Sequence, residues 1–213
     1  MGAPDMSQSG NGVVTVVEPW RPRYAGPAYF PAALGEPTIR CPWNETRLQP
    51  ILSDFARDWY SSFLASAAEP SLYLASQSPR PPGSATLRFT WLRSFHAPVA
   101  IRIETAGPGR HRLVAKQLSG AGGYEPGHVE KTVDRVLTAE EAGRLQAMLA
   151  RARVFALAPD PCRGGTDGSE WIFEAVDAGG YHYAAVWSPD GGPANALGRF
   201  LMGLTGWEFG DIY

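Results

Sequence analysis

The chain has 213 residues, of which 44% are apolar and 11% aromatic, and its formal net charge is −2. This apolar content excludes an intrinsically disordered chain, and the length allows a single domain to bury a core of its own. The sequence shows no basic stripe. We therefore expect no nucleic-acid partner, because neutralised phosphates supply most of the affinity of such proteins.

The sequence contains no run of about 18 apolar residues, so no membrane-spanning helix is expected. Its first residues lack a cationic start, and the apolar run at residues 13–17 is too short for a signal-peptide core. These features predict a cytoplasmic protein. Cys41 and Cys162 are then predicted to be free thiols, although an exported protein would allow them to pair.

Residues 1–44 are predicted to form an extended arm in front of a single domain at residues 45–213. Prolines recur from residue 19 to residue 42 and exclude a long helix there. Aromatic residues are enriched at protein interfaces. We expect the arm to pack on its own domain or on another chain, and we predict contacts with a protein partner or a second copy. The candidate contact residues are Trp20, Tyr24, Tyr29 and Phe30.

The next elements follow from hydrophobic periodicity. Apolar residues at steps of three and four predict a helix within residues 46–66. Alternating patterns at residues 87–93, 99–105 and 111–118 predict a three-stranded antiparallel meander, and residues 129–137 are a further strand candidate.

Helix-capping signals predict two further helices in the C-terminal half of the sequence. Thr138 and Glu141 have the spacing of a capping box and predict a helix that ends near residues 151–153. Pro193 is suited to the first turn of the last helix, and Gly206 to its end. The resulting order predicts an α+β fold, with an antiparallel sheet of about five strands and helices packed on one face.

Residues 166–189 are predicted to contain a β-hairpin. A three-residue loop at 178–180 would pair Trp171 with Trp187 and place the aromatic residues of both strands on one face. In that register Glu170, Glu174 and His182 all lie on the opposite face.

A carboxylate beside a histidine can carry out acid–base chemistry, but such cross-strand neighbours are also common on ordinary sheets. The candidate catalytic residues are therefore Glu170, Glu174 and His182, with Asp167 in the preceding loop; a surface pair is the simpler interpretation. The 4 histidines lack ligand spacing, so no metal and no cofactor are expected. Arg93 and His96 follow a strand and are candidate binding residues, because functional groups often lie on such connections.

Several blocks occur in a characteristic order: LRFTWLRSFHAPVAIRIE, GAGGYEPG, a Thr-Ala-Glu-Glu helix start, DGSEWIFE and YHYAAVWSP. In this succession the chain, from about residue 47 to residue 207, resembles a family of uncharacterised bacterial proteins. The resemblance implies a bacterial source and a single domain. It implies no activity and no functional residues.

The leading functional hypothesis is a non-catalytic binding or interaction protein that uses the arm for protein contacts. The first alternative is a small hydrolase or transferase that uses the acidic and histidine residues of the hairpin. The second alternative is a small-ligand carrier with an aromatic pocket formed by Trp59, Trp91 and Trp171.

Overall fold

The computed structural model of the chain describes residues 24–107, 109–122, 125–165 and 167–213. Trp20 and the first part of the predicted arm lie outside the described residues. The strands are β1 Pro37–Cys41, β2 Asn44–Pro50, β3 Ala85–Arg93, β4 Val99–Thr105, β5 His111–Leu118, β6 Val129–Val136, β7 Ser169–Asp177 and β8 Gly180–Trp187. The α-helices are α1 Asp54–Ser66, α2 Leu72–Ala75, α3 Ala139–Ala152 and α4 Gly192–Leu204, and short 3-10 turns lie at Ala32–Gly35 and Val154–Ala156.

A six-stranded antiparallel sheet forms the centre of the fold, in the order β6-β5-β4-β3-β7-β8. The predicted meander and the further strand β6 are confirmed, as are the α+β class and the antiparallel pairing. The sheet has one strand more than the approximate five predicted. A separate hairpin of β1 and β2 makes a second, two-stranded sheet.

One face of the sheet packs against helices α3 and α4. Phe89 and Trp171 are fully buried there, and their rings are 5.3 Å apart. Leu145 of α3 and Leu201 of α4 belong to the same core cluster. At Gly198 an added Cβ would lie 2.2 Å from the Trp171 ring, so glycine is what allows α4 to lie this close to the sheet.

The other face of the sheet is covered as well. Leu92 of β3 and Ile172 of β7 form a second core cluster with Phe63 and Leu64 of α1 and with Phe30. The prediction that helices pack on one face is therefore wrong. Strand β3 is buried along almost its whole length, and a strand buried on both faces needs a layer on each side.

The described part of the predicted arm packs on the domain. Tyr29 and Phe30 are both buried in the second core cluster. Strands β1 and β2 pair across the predicted boundary at residue 44. Helix α1 begins only at Asp54, where the Ser53 side chain accepts a hydrogen bond from the backbone of Ala56.

The helix signals near the C-terminal half of the chain are confirmed. Thr138 and Glu141 form the predicted capping box at the start of α3, and this helix ends at Ala152. Pro193 lies in the first turn of α4. Across the described ranges, the structure contains no helix that is both long and apolar enough to cross a bilayer.

The register of the β7–β8 hairpin differs from the prediction. Asp177 pairs with Gly180, so the loop has two residues, and Trp171 pairs with Val186 instead of Trp187. A shift of one residue moves every side chain of a strand to the other face. Tyr181 and Tyr183 therefore share a face with the β7 glutamates, and His182 lies on the opposite one.

Cys41 and Cys162 form a disulfide bond with a Cα–Cα distance of 5.3 Å. The prediction of free thiols is thus wrong. It rested on the predicted cytoplasmic location, where disulfides are rare; that location stays a prediction. The bond joins the end of β1 to the loop before β7, across 121 residues of sequence.

Candidate functional site

A cavity of about 270 Å³ lies beside the edge strand β8. Its walls come from the β1–β2 hairpin, the start of α1, the loop at residues 157–163 and the paired strands β7 and β8. The side chains of most chemical interest in its lining are Trp43, Tyr60, Glu170, Tyr183 and Trp187. The cavity thus combines the half-buried carboxyl group of Glu170 with four aromatic rings.

Glu170 is held in place by helix α1. Its Oε2 atom accepts a hydrogen bond of 2.7 Å from the hydroxyl of Tyr60. Burial raises the pKa of the Glu170 carboxyl to about 7, and the Tyr60 hydrogen bond opposes that rise. The cavity therefore contains a carboxyl group that changes charge near neutral pH.

The two cavity tyrosines stay neutral at any ordinary pH. Burial raises the pKa of Tyr60 and of Tyr183 well above the usual value, and the charge of Glu170 adds to the rise in both. Phe30 packs behind this pair, with ring centroids 6.2 Å from Tyr60 and 5.8 Å from Tyr183. Phe30 thus supports the wall of the cavity.

The disulfide bond supports another wall. Trp43 lies in the turn between β1 and β2, and its indole Nε1 donates a 3.2 Å hydrogen bond to the carbonyl of Cys162. The Trp43 side chain is otherwise largely exposed, at 63%. Because Cys162 is covalently bonded to Cys41, this hydrogen bond and the disulfide together hold the hairpin against the loop before β7.

Trp187 closes the cavity at the end of β8. A Cβ added at Gly168 would lie 2.7 Å from Cζ2 of Trp187, and one added at Gly165 would lie 3.3 Å from its Nε1. The glycines of this loop therefore provide the room in which the indole ring lies. Asp160 and Arg163 also line the cavity; both are exposed, and their charged groups are 3.8 Å apart.

Glu174, a predicted catalytic residue, is fully buried and away from the cavity lining. Its Oε2 accepts hydrogen bonds from Nε of Arg88 at 2.9 Å and from Nη2 at 2.7 Å. Its Oε1 accepts a 2.9 Å hydrogen bond from Tyr181. Both carboxylate oxygens are thus engaged by the interior of the fold.

The Arg88–Glu174 pair belongs to a larger buried charge network. Glu69 lies 4.0 Å from Arg88, 2.8 Å from Arg102 and 3.1 Å from Lys116. Opposite charges are matched across the face of the sheet that α1 and α2 cover. This network holds that layer together.

His182 and Asp167 do not join Glu170. Nε2 of His182 lies 3.1 Å from Asp177, and its ring packs 5.6 Å from Phe155 on the other face of the sheet. Asp167 is exposed in the loop before β7 and does not line the cavity. Of the four candidate catalytic residues, only Glu170 reaches a cavity wall.

The candidate binding residues Arg93 and His96 contact the C-terminal segment and their own loop. The Arg93 guanidinium lies 4.2 Å from the Trp91 ring centroid and donates a 2.7 Å hydrogen bond to the carbonyl of Ala97. Burial lowers the pKa of Arg93. Nδ1 of His96 lies 2.7 Å from the hydroxyl of Tyr213.

The remaining arm residue, Tyr24, packs on Tyr29 with ring centroids 5.8 Å apart. Tyr29 in turn donates a 2.8 Å hydrogen bond to the carbonyl of Glu69. The tryptophans proposed for a carrier pocket are separated: Trp91 and Trp171 are fully buried in the core cluster under α3 and α4, whereas Trp59 packs in the other cluster.

Sequence reasoning missed the residues that build the cavity around Glu170. In the sequence, Tyr60 has no feature that separates it from the other residues of an amphipathic helix. Trp43 lies in the proline-rich arm, far from Glu170 along the chain. The two cysteines were the available signal, because pairing them places the loop at residue 162 beside the turn at residue 43. The register error concealed Tyr183, which lies on the same face as Glu170.

The chain matches no protein-family model and no curated protein. Across the described residues, no group of three or more His, Cys, Asp or Glu side chains is placed to hold a metal ion. The function of the candidate site is therefore inferred from the geometry and chemistry of its own residues.

Proposed function

We propose that the protein binds a small organic cation in the cavity beside Glu170. The observation that carries the proposal is the position of one carboxyl group, oriented by Tyr60, in a cavity lined by the aromatic rings of Trp43, Tyr183 and Trp187. Carboxylate and aromatic groups together are the usual partners of an ammonium group, since the ring faces and the carboxylate both attract positive charge.

The proposed ligand carries its charge next to an apolar group. The cavity is small, and its lining contains apolar residues such as Leu52 and Leu157 beside the aromatic rings. Arg163 introduces a positive charge at the rim, but it is exposed and lies 3.8 Å from Asp160, so solvent and its partner screen it. Glu170 is the charged group that is half-buried in the cavity.

The proposal is for binding rather than for hydrolysis. Glu174 forms a buried ion pair with Arg88, and His182 lies on the other face of the sheet. Glu170 therefore has no second acid–base group from the predicted set beside it. The proposed protein is thus a non-catalytic binding protein, as the leading sequence hypothesis expects, with the cavity instead of the arm as the proposed binding surface.

The test uses benzyltrimethylammonium, whose charge does not titrate, and benzyl alcohol as its uncharged analogue. Binding to the full oxidised chain is measured by calorimetry and by the fluorescence of the cavity tryptophans. Glu170→Gln removes the charge but keeps the shape. We expect this change to weaken binding of the cation by at least about tenfold, which corresponds to about 1.4 kcal/mol, and to leave the alcohol unchanged.

Asp167→Asn is the matched control, because it removes an exposed carboxylate a few residues away that does not line the cavity. It should leave the affinity for the cation unchanged. The proposal is overturned if the wild-type protein does not bind the cation, or if Glu170→Gln binds it as tightly as the wild type does.

The pH dependence provides a second readout. The carboxyl of Glu170 has a pKa of about 7 and is therefore largely neutral in slightly acidic solution. Affinity for the fixed-charge cation should increase as the pH rises through about 7 and then level off, since only the ionised carboxylate attracts it. Glu170→Gln should abolish this dependence.

A further inference from the structure

A second cavity, of about 400 Å³, lies on the opposite face of the sheet from Glu170. Its floor is formed by Leu87, Ile103 and Ala175 of the sheet, and its walls by Leu145, Leu149 and Phe155. It opens where α3 ends and the chain turns back towards the sheet. An apolar cavity of this size is in the range of small-molecule sites.

One polar side chain in the lining stands out. His111 is only 5% exposed, and its Nδ1 lies 2.8 Å from the Thr105 hydroxyl. Its other ring nitrogen, Nε2, is buried and has no hydrogen-bond partner within the described residues. A buried polar atom without a partner is costly, and His111 lines this cavity, so a polar ligand group that bonds to Nε2 would remove that cost.

We propose that this cavity is a binding site for a compact, uncharged alcohol. The apolar part of the ligand would cover Leu87, Ile103 and Leu149, and its hydroxyl would bond to Nε2 of His111. Burial of apolar surface supplies the affinity, and the hydroxyl provides a hydrogen-bond partner for Nε2 of His111.

A hydroxyl suits this position because it can either donate or accept a hydrogen bond. The Thr105 contact is compatible with both neutral tautomers of His111, so Nε2 is either an acceptor or an N–H donor. A hydroxyl pairs with either form. Arg153 and Asp177 also line the cavity, but both are exposed. A carboxylate or an ammonium group beside the buried Nε2 of His111 would therefore lose its hydration without a buried opposite charge, which is unfavourable.

This inference is independent of the proposed cation site. The two cavities share no lining residue and lie on opposite faces of the sheet. Each has its own probe and its own variants, so one proposal can fail while the other stands.

The experiment titrates 1-hexanol into the full oxidised chain with labelled methyl groups and follows the NMR signals of Ile103, Leu145 and Leu149. We expect saturable shifts at these methyls, and weaker binding of hexanoate than of hexanol. His111→Leu should weaken hexanol binding by at least about fivefold, because the hydroxyl loses its partner. His111→Gln, which restores a polar side chain, should recover part of the affinity.

Leu149→Trp tests the cavity without touching the histidine. Leu149 is only half-buried, so a larger side chain there can fill the cavity while the helix is retained. This variant should lose hexanol binding and keep the wild-type affinity for benzyltrimethylammonium. The proposal is overturned if the methyl signals do not shift, if His111→Leu binds hexanol as tightly as the wild type, or if hexanoate binds more tightly than hexanol.

Discussion

The hydroxyl of Tyr60 and the carboxylate of Glu170 are 2.7 Å apart, although 110 residues separate them in the chain. This contact joins helix α1 to strand β7 at the wall of a cavity. It orients a carboxyl group whose pKa burial has raised to about 7. The position and the charge of this carboxyl therefore depend on the docking of a helix onto the sheet.

Replacing Tyr60 by phenylalanine should raise the pKa of Glu170 further. The tyrosine hydroxyl donates to the ionised carboxylate and stabilises it, so its loss favours the protonated form. The measurement is an NMR titration of the glutamate side-chain carboxyl carbons in both proteins. A lower pKa in Tyr60→Phe would contradict this account of the contact.

Glu170 should make the folded state less stable as the pH rises. Its pKa is about 7 when folded, against an ordinary value of 4.5, so the native state binds the proton more tightly than the unfolded state does. The stabilisation is complete below about pH 4.5 and is lost as the pH rises to about 7 and above. The loss is at most about 3 kcal/mol, and less where solvent reaches the group.

Urea unfolding of the wild type and of Glu170→Gln between about pH 5 and about pH 8 checks this linkage. The difference between the two proteins isolates Glu170, because the other carboxyl groups are common to both. The variant should gain stability relative to the wild type as the pH rises. A difference that is independent of pH would refute the prediction.

Removing the disulfide should destabilise the fold and weaken cation binding together. Cys41→Ala with Cys162→Ala releases a loop of 121 residues, and we expect a loss of about 2–5 kcal/mol in the free energy of unfolding. The β1–β2 hairpin that carries Trp43 would also lose its covalent anchor. Calorimetry with benzyltrimethylammonium and urea unfolding measure the two effects.

A thiol assay provides the control for this experiment. Denatured, unreduced wild-type protein should show no reactive thiol, and reduced wild-type protein should behave like the double variant. Two free thiols in the unreduced protein would contradict the Cys41–Cys162 bond.

The buried pair of Arg88 and Glu174 should be far more sensitive to loss of one partner than to loss of both. Glu174→Leu removes the nearest carboxylate of the buried Arg88 charge and leaves only Glu69, 4.0 Å away; it should cost about 3–5 kcal/mol. The combined variant with Arg88→Met should be less destabilised than the sum of the single changes. Urea unfolding of the four proteins gives the coupling energy.

Asp134→Asn is the matched control for this cycle. It breaks the ion pair with Arg112, whose charged groups approach to 2.6 Å but remain largely exposed. This change should have a much smaller effect, because solvent screens exposed pairs. A loss as large as that of Glu174→Leu would contradict the role of burial.

Much of the secondary structure could be predicted because its signals are local. Strands β4 and β5 begin and end where the alternating pattern indicated. The capping box at Thr138 required only residues three apart. By contrast, the start of α1 was blurred by apolar residues of β2, such as Leu48, that happen to continue the helical spacing.

The candidate site was harder to predict because it depends on contacts between distant segments. Glu170 was identified from its sequence neighbours, but those neighbours are not its partners in the structure. A hairpin loop one residue shorter than predicted moved His182 to the other face and brought Tyr183 to the side of Glu170. Nothing local distinguishes the two registers, since both bury aromatic residues.

The sequence by itself determined the α+β class, the antiparallel meander and the ends of α3, since each follows from periodicity or capping within a few residues. Only the tertiary structure decided that both faces of the sheet are covered, that Cys41 and Cys162 meet, and that Tyr60 lies against Glu170. The physical reason is the range of the interactions. Hydrogen-bonded turns and alternating side chains are set by neighbours in the chain, whereas layers, disulfides and cavities form only when distant segments are brought together by packing.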